Sequence, residues 1–169
     1  MPSGLANQLT KQRGEYAVAA ELARRGLLVA PFSGNVPDFD LVAVREDGST
    51  VLVQGKAMTN SSWQFNVDDF LVVEDDANRE IQIVHGLKPL KAEIIWVMLR
   101  LTADQQPEYW IARQADIQGI VHAGYVDYLA KCAVPGHRPK QWRSHHTAIR
   151  PVELATHLDD WGLITNGRA

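Results

Sequence analysis

Asp40, Gln54 and Lys56 stand inside two runs that otherwise read as buried β-strand, Val36-Pro37-Asp38-Phe39-Asp40-Leu41-Val42-Ala43 and Val51-Leu52-Val53-Gln54-Gly55-Lys56-Ala57. A carboxylate or an ammonium taken out of water is costly unless a counter-charge or a metal receives it. Two adjoining strands that both carry this cost predict a metal-dependent site. Glu15, near the start of an upstream helix, offers another acid, and Asp38 competes with Asp40 for the strand position. Carboxylate oxygens from Glu15 and Asp40, with the amide oxygen of Gln54, are the ligand types a hard ion such as Mg²⁺ takes. Lys56 held beside them would stabilise developing negative charge or orient an attacking water.

Convergence depends on the elements that carry these residues. Side chains alternate along a strand, so Gln54 and Lys56 share one face and Gly55 takes the other. The two runs flank Glu46-Asp47-Gly48-Ser49, a hairpin signal, with strands over Phe39 to Arg45 and Thr50 to Ala57. A three- or five-residue loop sets Asp40 opposite Gln54 or Lys56, whereas a four-residue loop sets it opposite Gly55. The odd loop is expected, because the other scatters buried polar groups over both faces. On the helix, Glu15, Val18 and Leu22 form one stripe, so the side that buries Val18 and Leu22 carries Glu15 with it.

Thr10 reads as the N-cap of that helix, which runs to about Arg25, with Gly26 just past its end. Leu27 to Phe32 reads as a short strand, and Pro31 marks it as an edge or a strand end. Asn60 to Lys91 is less regular and acidic, with Trp63 and Phe65 expected to pack back on the core. Ile94 to Leu101 is apolar enough for a central strand, and Glu108 to Ala112 pairs with it. Gln114 to Val121 and Gly124 to Cys132 read as helical, Pro135 to Ser144 as a loop, and Val152 to Trp161 as a closing helix. Together these predict a single α/β domain over residues 1–169 with a mixed sheet of about five strands flanked by helices.

The 169 residues carry a net charge of −3, which by itself does not suggest a nucleic-acid binder, but the charge is unevenly spread. Lys11, Arg13, Arg24 and Arg25 cluster early, Arg138, Lys140, Arg143 and Arg150 late, and Asp68, Asp69, Glu74, Asp75, Asp76 and Glu80 between them. The lone Cys132 leaves no internal disulfide or cysteine zinc site. With no signal-peptide pattern at Met1–Leu5, a cytoplasmic setting is the default expectation. His137, His145 and His146 lie in a polar stretch without cysteine partners and read as solvated rather than zinc ligands. Trp142 among Arg138, Lys140 and Arg143 reads as a surface loop first and a nucleic-acid contact second.

From Lys11 to Met58 the chain resembles the PD-(D/E)XK nuclease superfamily, in particular the small branch that includes archaeal Holliday-junction resolvases and a group I intron homing endonuclease. Arg13-Gly14-Glu15-Tyr16 enters the helix and Leu22-Ala23-Arg24-Arg25-Gly26 leaves it. Pro37-Asp38-Phe39-Asp40 and Val53-Gln54-Gly55-Lys56 then supply the motif proper. The resemblance implies a restriction-endonuclease-like α/β fold, DNA as substrate, Mg²⁺ or Mn²⁺ as cofactor, and a homodimer as one assembly. It implies Glu15 as helix acid, Asp40 as principal metal ligand, and Gln54 and Lys56 as the final pair. Gln54 replaces the last acid of the superfamily pattern, and Gly55 stands where a β-branched residue is usual. Two other readings stay open: a non-catalytic nucleic-acid-binding or protein-interaction module on the same fold, and a structural Asp40–Lys56 ion pair.

Overall fold

The computed structural model describes residues 4–32, 38–90, 92–102, 106–132 and 143–166. Five strands build the main sheet: β1 (Leu28–Pro31), β2 (Leu41–Val44), β3 (Thr50–Met58), β7 (Ile94–Arg100) and β8 (Glu108–Arg113), in the order β1-β2-β3-β7-β8. Only the β3–β7 pair is parallel, so the sheet is mixed. This is the expected α/β architecture, with β1 on the edge where Pro31 costs no ladder hydrogen bond.

Alternation along the strands separates two cores. Val51 and Val53 of β3, Ile95, Val97 and Leu99 of β7, and Tyr109 and Ile111 of β8 face helix α1 (Gly4–Arg24), which buries Val18 and Leu22 against them. Met58, Met98, Trp110 and Ala112 face the other way, under helix α2 (Gln114–Cys132). Ile117, Val121 and Tyr125, one turn apart, bury on that second side. Their packing carries α2 unbroken through Gly124, where the sequence predicts two shorter helices.

The irregular stretch 60–91 contains three strands. β4 (Trp63–Asn66) pairs with the late strand β9 (His146–Ile149), and β5 (Leu71–Asp76) pairs with β6 (Ile81–Leu87). Trp63 and Phe65 are buried in the second core as expected. The expected closing helix is a kinked 3₁₀ segment over Pro151–His157, followed by α3 (Gly162–Thr165), whose Ile164 joins Trp161 in the first core. No helix among the described residues is long and apolar enough to cross a membrane.

Helix α1 begins at Gly4, not at Thr10, so Thr10 lies inside it and does not cap it. Gly26 ends it at a φ of 88°, as the sequence predicts. Gly14 seats the helix on β3: a Cβ there would stand 2.5 Å from the Cβ of Ala57. Gly14→Ala gains about 1 kcal/mol of helix propensity but forces the helix off the sheet, and such overpacking costs about 1–3 kcal/mol. Denaturant titration is expected to show a net loss of up to about 2 kcal/mol. Ala57→Gly in the same chain should restore stability, and an unchanged double variant would refute the steric account.

Candidate active site

The hairpin has the odd loop. Val44 pairs with Thr50 and Leu41 with Val53, which places Asp40 opposite Gln54. Asp47 accepts the Ser49 N–H at 2.8 Å, and Gly48 takes a φ of 80°, so the turn residues themselves set this register. The Asp40 backbone is tied on both sides: its N–H donates to Val53 O at 2.9 Å and its carbonyl accepts from Phe32 N at 3.0 Å.

Asp40 sits just before β2, and its carboxylate reaches over the strand end onto β3. Oδ2 accepts from Gln54 Nε2 at 2.5 Å and from the Gly55 N–H at 3.1 Å. The same oxygen lies 3.7 Å from where a Gly55 Cβ would stand, a point equally far from Val18 Cγ2 on α1. The carboxylate therefore lies where the two faces of the sheet meet. Burial pushes its pKa above the ordinary 3.8, the Gly55 N–H opposes that, and the charge of Glu15 adds to the rise while Lys11 and Lys56 counter it. Glu15 is half-buried on α1, one turn beyond Lys11, whose Nζ is 3.5 Å from its carboxylate.

Lys56 is on the opposite face from α1, with its Nζ 4.7 Å from the centre of the Phe65 ring. Burial pulls its pKa below the ordinary 10.5, and Asp69 and then Asp40 pull it back. Asp69, Phe65 and Lys11 are the neighbours that sequence reasoning missed. Lys11 was legible as the i,i+4 partner of Glu15, but Asp69 and Phe65 reach Lys56 only through the tertiary fold.

Asp38 does not share this position. It is exposed, has a φ of 79°, and lines a cleft of about 520 Å³ with Gln54, Lys56, Asp68, Asp69 and Lys88. A second depression, about 610 Å³, lies between α1 and the β3–β4 turn and also reaches Gln54 and Lys56. His145 is half-buried, with Nδ1 2.7 Å from Asp68 and Nε2 3.0 Å from Asp75. Burial works against its charge, but the hydrogen bonds to Asp75 and Asp68 outweigh it and raise its pKa. Pro37, His137, Arg138, Lys140 and Trp142, which the sequence reading singled out, lie outside the described residues.

The donor set fits a hard divalent cation. Two mutually repelling carboxylates, Glu15 and Asp40, stand within electrostatic reach of each other, and Gln54 adds a neutral amide beside Asp40. Among the described residues no three His, Cys, Asp or Glu side chains form a ligand cluster on their own. An ion here would complete its shell with neutral oxygens and water, as Mg²⁺ commonly does.

No protein-family model and no curated protein matches this chain. Among solved structures it is similar to a bacterial homing endonuclease, I-Ssp6803I, at 12% identity and a TM-score of 0.45, over 93% of this chain and 90% of that one.

Proposed function

We propose that this chain is a divalent-metal-dependent endonuclease that hydrolyses phosphodiester bonds in DNA. The observation that carries it is a half-buried acid, Asp40, hydrogen-bonded to Gln54 and to the Gly55 N–H on β3 and within electrostatic reach of Lys56 on the same strand and of Glu15 on α1. DNA as the substrate rests on the resemblance of Lys11 to Met58 to the nuclease motif.

Asp40, Glu15 and the Gln54 amide oxygen would hold Mg²⁺ or Mn²⁺. Such an ion polarises a phosphoryl oxygen and lowers the pKa of bound water. The chain's own groups supply the rest. Gly55 N–H fixes one Asp40 oxygen, so the carboxylate needs no reorganisation to present its other oxygen. Lys56, half-buried beside the site, offsets the charge that builds on the phosphoryl oxygens as water adds to phosphorus and one ester P–O bond breaks. The attacking water gives up one proton to solvent and the departing alkoxide takes one from it.

One observation favours the non-catalytic module instead: Gln54 donates to Asp40 at 2.5 Å, so the two polar groups satisfy each other without an ion. The test incubates purified protein with single-stranded, duplex and branched DNA in Mg²⁺, in Mn²⁺ and in chelator, beside Lys56→Ala. Cutting that needs the metal and is lost in Lys56→Ala is the expected result. Binding without cutting would establish the module, and neither binding nor cutting would leave a structural ion pair.

A further inference from the structure

Both ring nitrogens of His145 meet carboxylates: Nδ1 is 2.7 Å from Asp68 Oδ2 and Nε2 is 3.0 Å from Asp75 Oδ1. An ionised carboxylate only accepts, and a neutral imidazole has a single N–H to give. Asp75 is ionised at neutral pH, because hydrogen bonds from His145 and then from Gln82 hold its carboxyl below the ordinary 3.8. The two bonds therefore form together only on the imidazolium.

Those bonds fasten three pieces of chain. His145 immediately precedes β9, Asp68 lies in the 3₁₀ turn Val67–Asp69, and Asp75 lies in β5. The backbone joins them too, since the His145 carbonyl accepts the Val67 N–H at 2.8 Å. From β6, Gln82 donates to Asp75 Oδ1 at 2.9 Å and accepts from the Tyr125 hydroxyl of α2. Burial pushes the Tyr125 phenol up to about 12, so it stays neutral where histidine titrates. The remaining charges around the cluster are Arg143, which acts on Asp75, and Lys88, whose Nζ donates to the Asp68 carbonyl. The turn so held forms part of the acidic wall of the 520 Å³ cleft, and β4, which leads into it, carries Phe65 against Lys56.

We propose that His145 is a proton-operated clamp, whose imidazolium pins the Val67–Asp69 turn and β5 to the start of β9 and whose neutral ring releases one of them. On deprotonation one N–H becomes a lone pair facing a carboxylate, and an attraction becomes a repulsion. The pKa of the ring is raised in the folded chain, so the clamp is fully closed below the ordinary 6.5 and opens as pH climbs through the raised value. It needs neither metal nor DNA and stands apart from the nuclease reading.

Side-chain nitrogen NMR and amide exchange on the whole protein test it. Both His145 ring nitrogens should be protonated at about pH 6, with a titration midpoint above 6.5. The Val67 amide, bonded to the His145 carbonyl, senses the turn. Its protection factor should fall about two- to fivefold between about pH 6 and about pH 8.5, as suits partly exposed ion pairs. The Leu101 amide, which donates to Met58 O in the main sheet, should keep its protection over that range. Asp75→Asn retains an accepting oxygen but loses the charge, and it should bring the midpoint down toward 6.5. His145→Gln should make Val67 protection independent of pH. A single protonated ring nitrogen at about pH 6, or a midpoint at or below 6.5, would overturn the clamp. So would Val67 protection that follows Leu101, or that falls equally in His145→Gln.

Discussion

Asp40→Asn is expected to lower metal-dependent cleavage on the order of a thousandfold without lowering stability at neutral pH. The two outcomes share one cause. Asp40 is half-buried and Glu15 repels it, so the folded chain prefers the carboxyl protonated relative to the unfolded chain. Between the ordinary value of 3.8 and its raised folded value, the native state binds the extra proton. Stability therefore falls as pH rises through that window, and the cost is fully present above it. Asparagine carries no such cost yet still offers an oxygen to the Gly55 N–H. The variant should match or exceed the unaltered chain in thermal unfolding at pH 7, and the gain should vanish as pH falls below 3.8. A variant that cleaves normally but unfolds more easily would make Asp40 a structural anchor and sink its metal-holding role.

Lys56→Met should reduce cleavage by on the order of 10²–10³-fold, the usual consequence of losing one preorganised group that stabilises transition-state charge. Methionine keeps the hydrocarbon stem and a favourable sulfur contact with the Phe65 ring. Because burial depresses the lysine pKa, the unfolded chain binds more protons than the folded one between the lowered value and 10.5. Wild-type stability thus rises with pH through that window, and below it the buried charge is a net cost. The variant should be at least as stable at pH 7, with its advantage closing toward pH 10.5. A purely structural Asp40–Lys56 pair predicts the reverse, since breaking one side of a buried pair costs about 3–5 kcal/mol. Denaturant unfolding at pH 7 beside a cleavage assay separates the two.

The parts of the site that were legible in the sequence are those set by near neighbours. The facing of Asp40 and Gln54 was legible from keeping the buried polar groups on one face, whereas the turn signal Glu46–Ser49 alone spells four residues and the structure adds Arg45 to the loop. Val18 and Leu22 fixed the buried stripe of α1, and with it the side on which Glu15 lies. The start of α1 was not legible, because Thr10 resembles a cap and helix propensity cannot veto it. The strands in 60–91 were missed for a different reason. Trp63 pairs with Ile149 and Asn66 with His146, partners far beyond any local pattern. Asp69 read as one more acid in a solvated run, although the fold turns its charge toward Lys56. Gly55 stands where a β-branched residue is usual, and a side chain there would touch Asp40 as well as the core residue Val18.

The sheet register also sets an order of assembly. Asp40 and Gln54 belong to one hairpin, a short loop that closes at little entropic cost. β7 joins β3 across β4 and the β5–β6 ribbon, with Lys56 alongside Met98 and Gln54 alongside Trp96. Non-local parallel pairing of this kind is slow to form. A chain emerging during synthesis would have its acid–amide rung in place while Lys56 is still fully hydrated and has an ordinary affinity for its proton. The acid–amide rung thus depends on the hairpin alone, whereas the surroundings of Lys56 depend on two non-local pairings, β3 with β7 and the Phe65 strand β4 with β9.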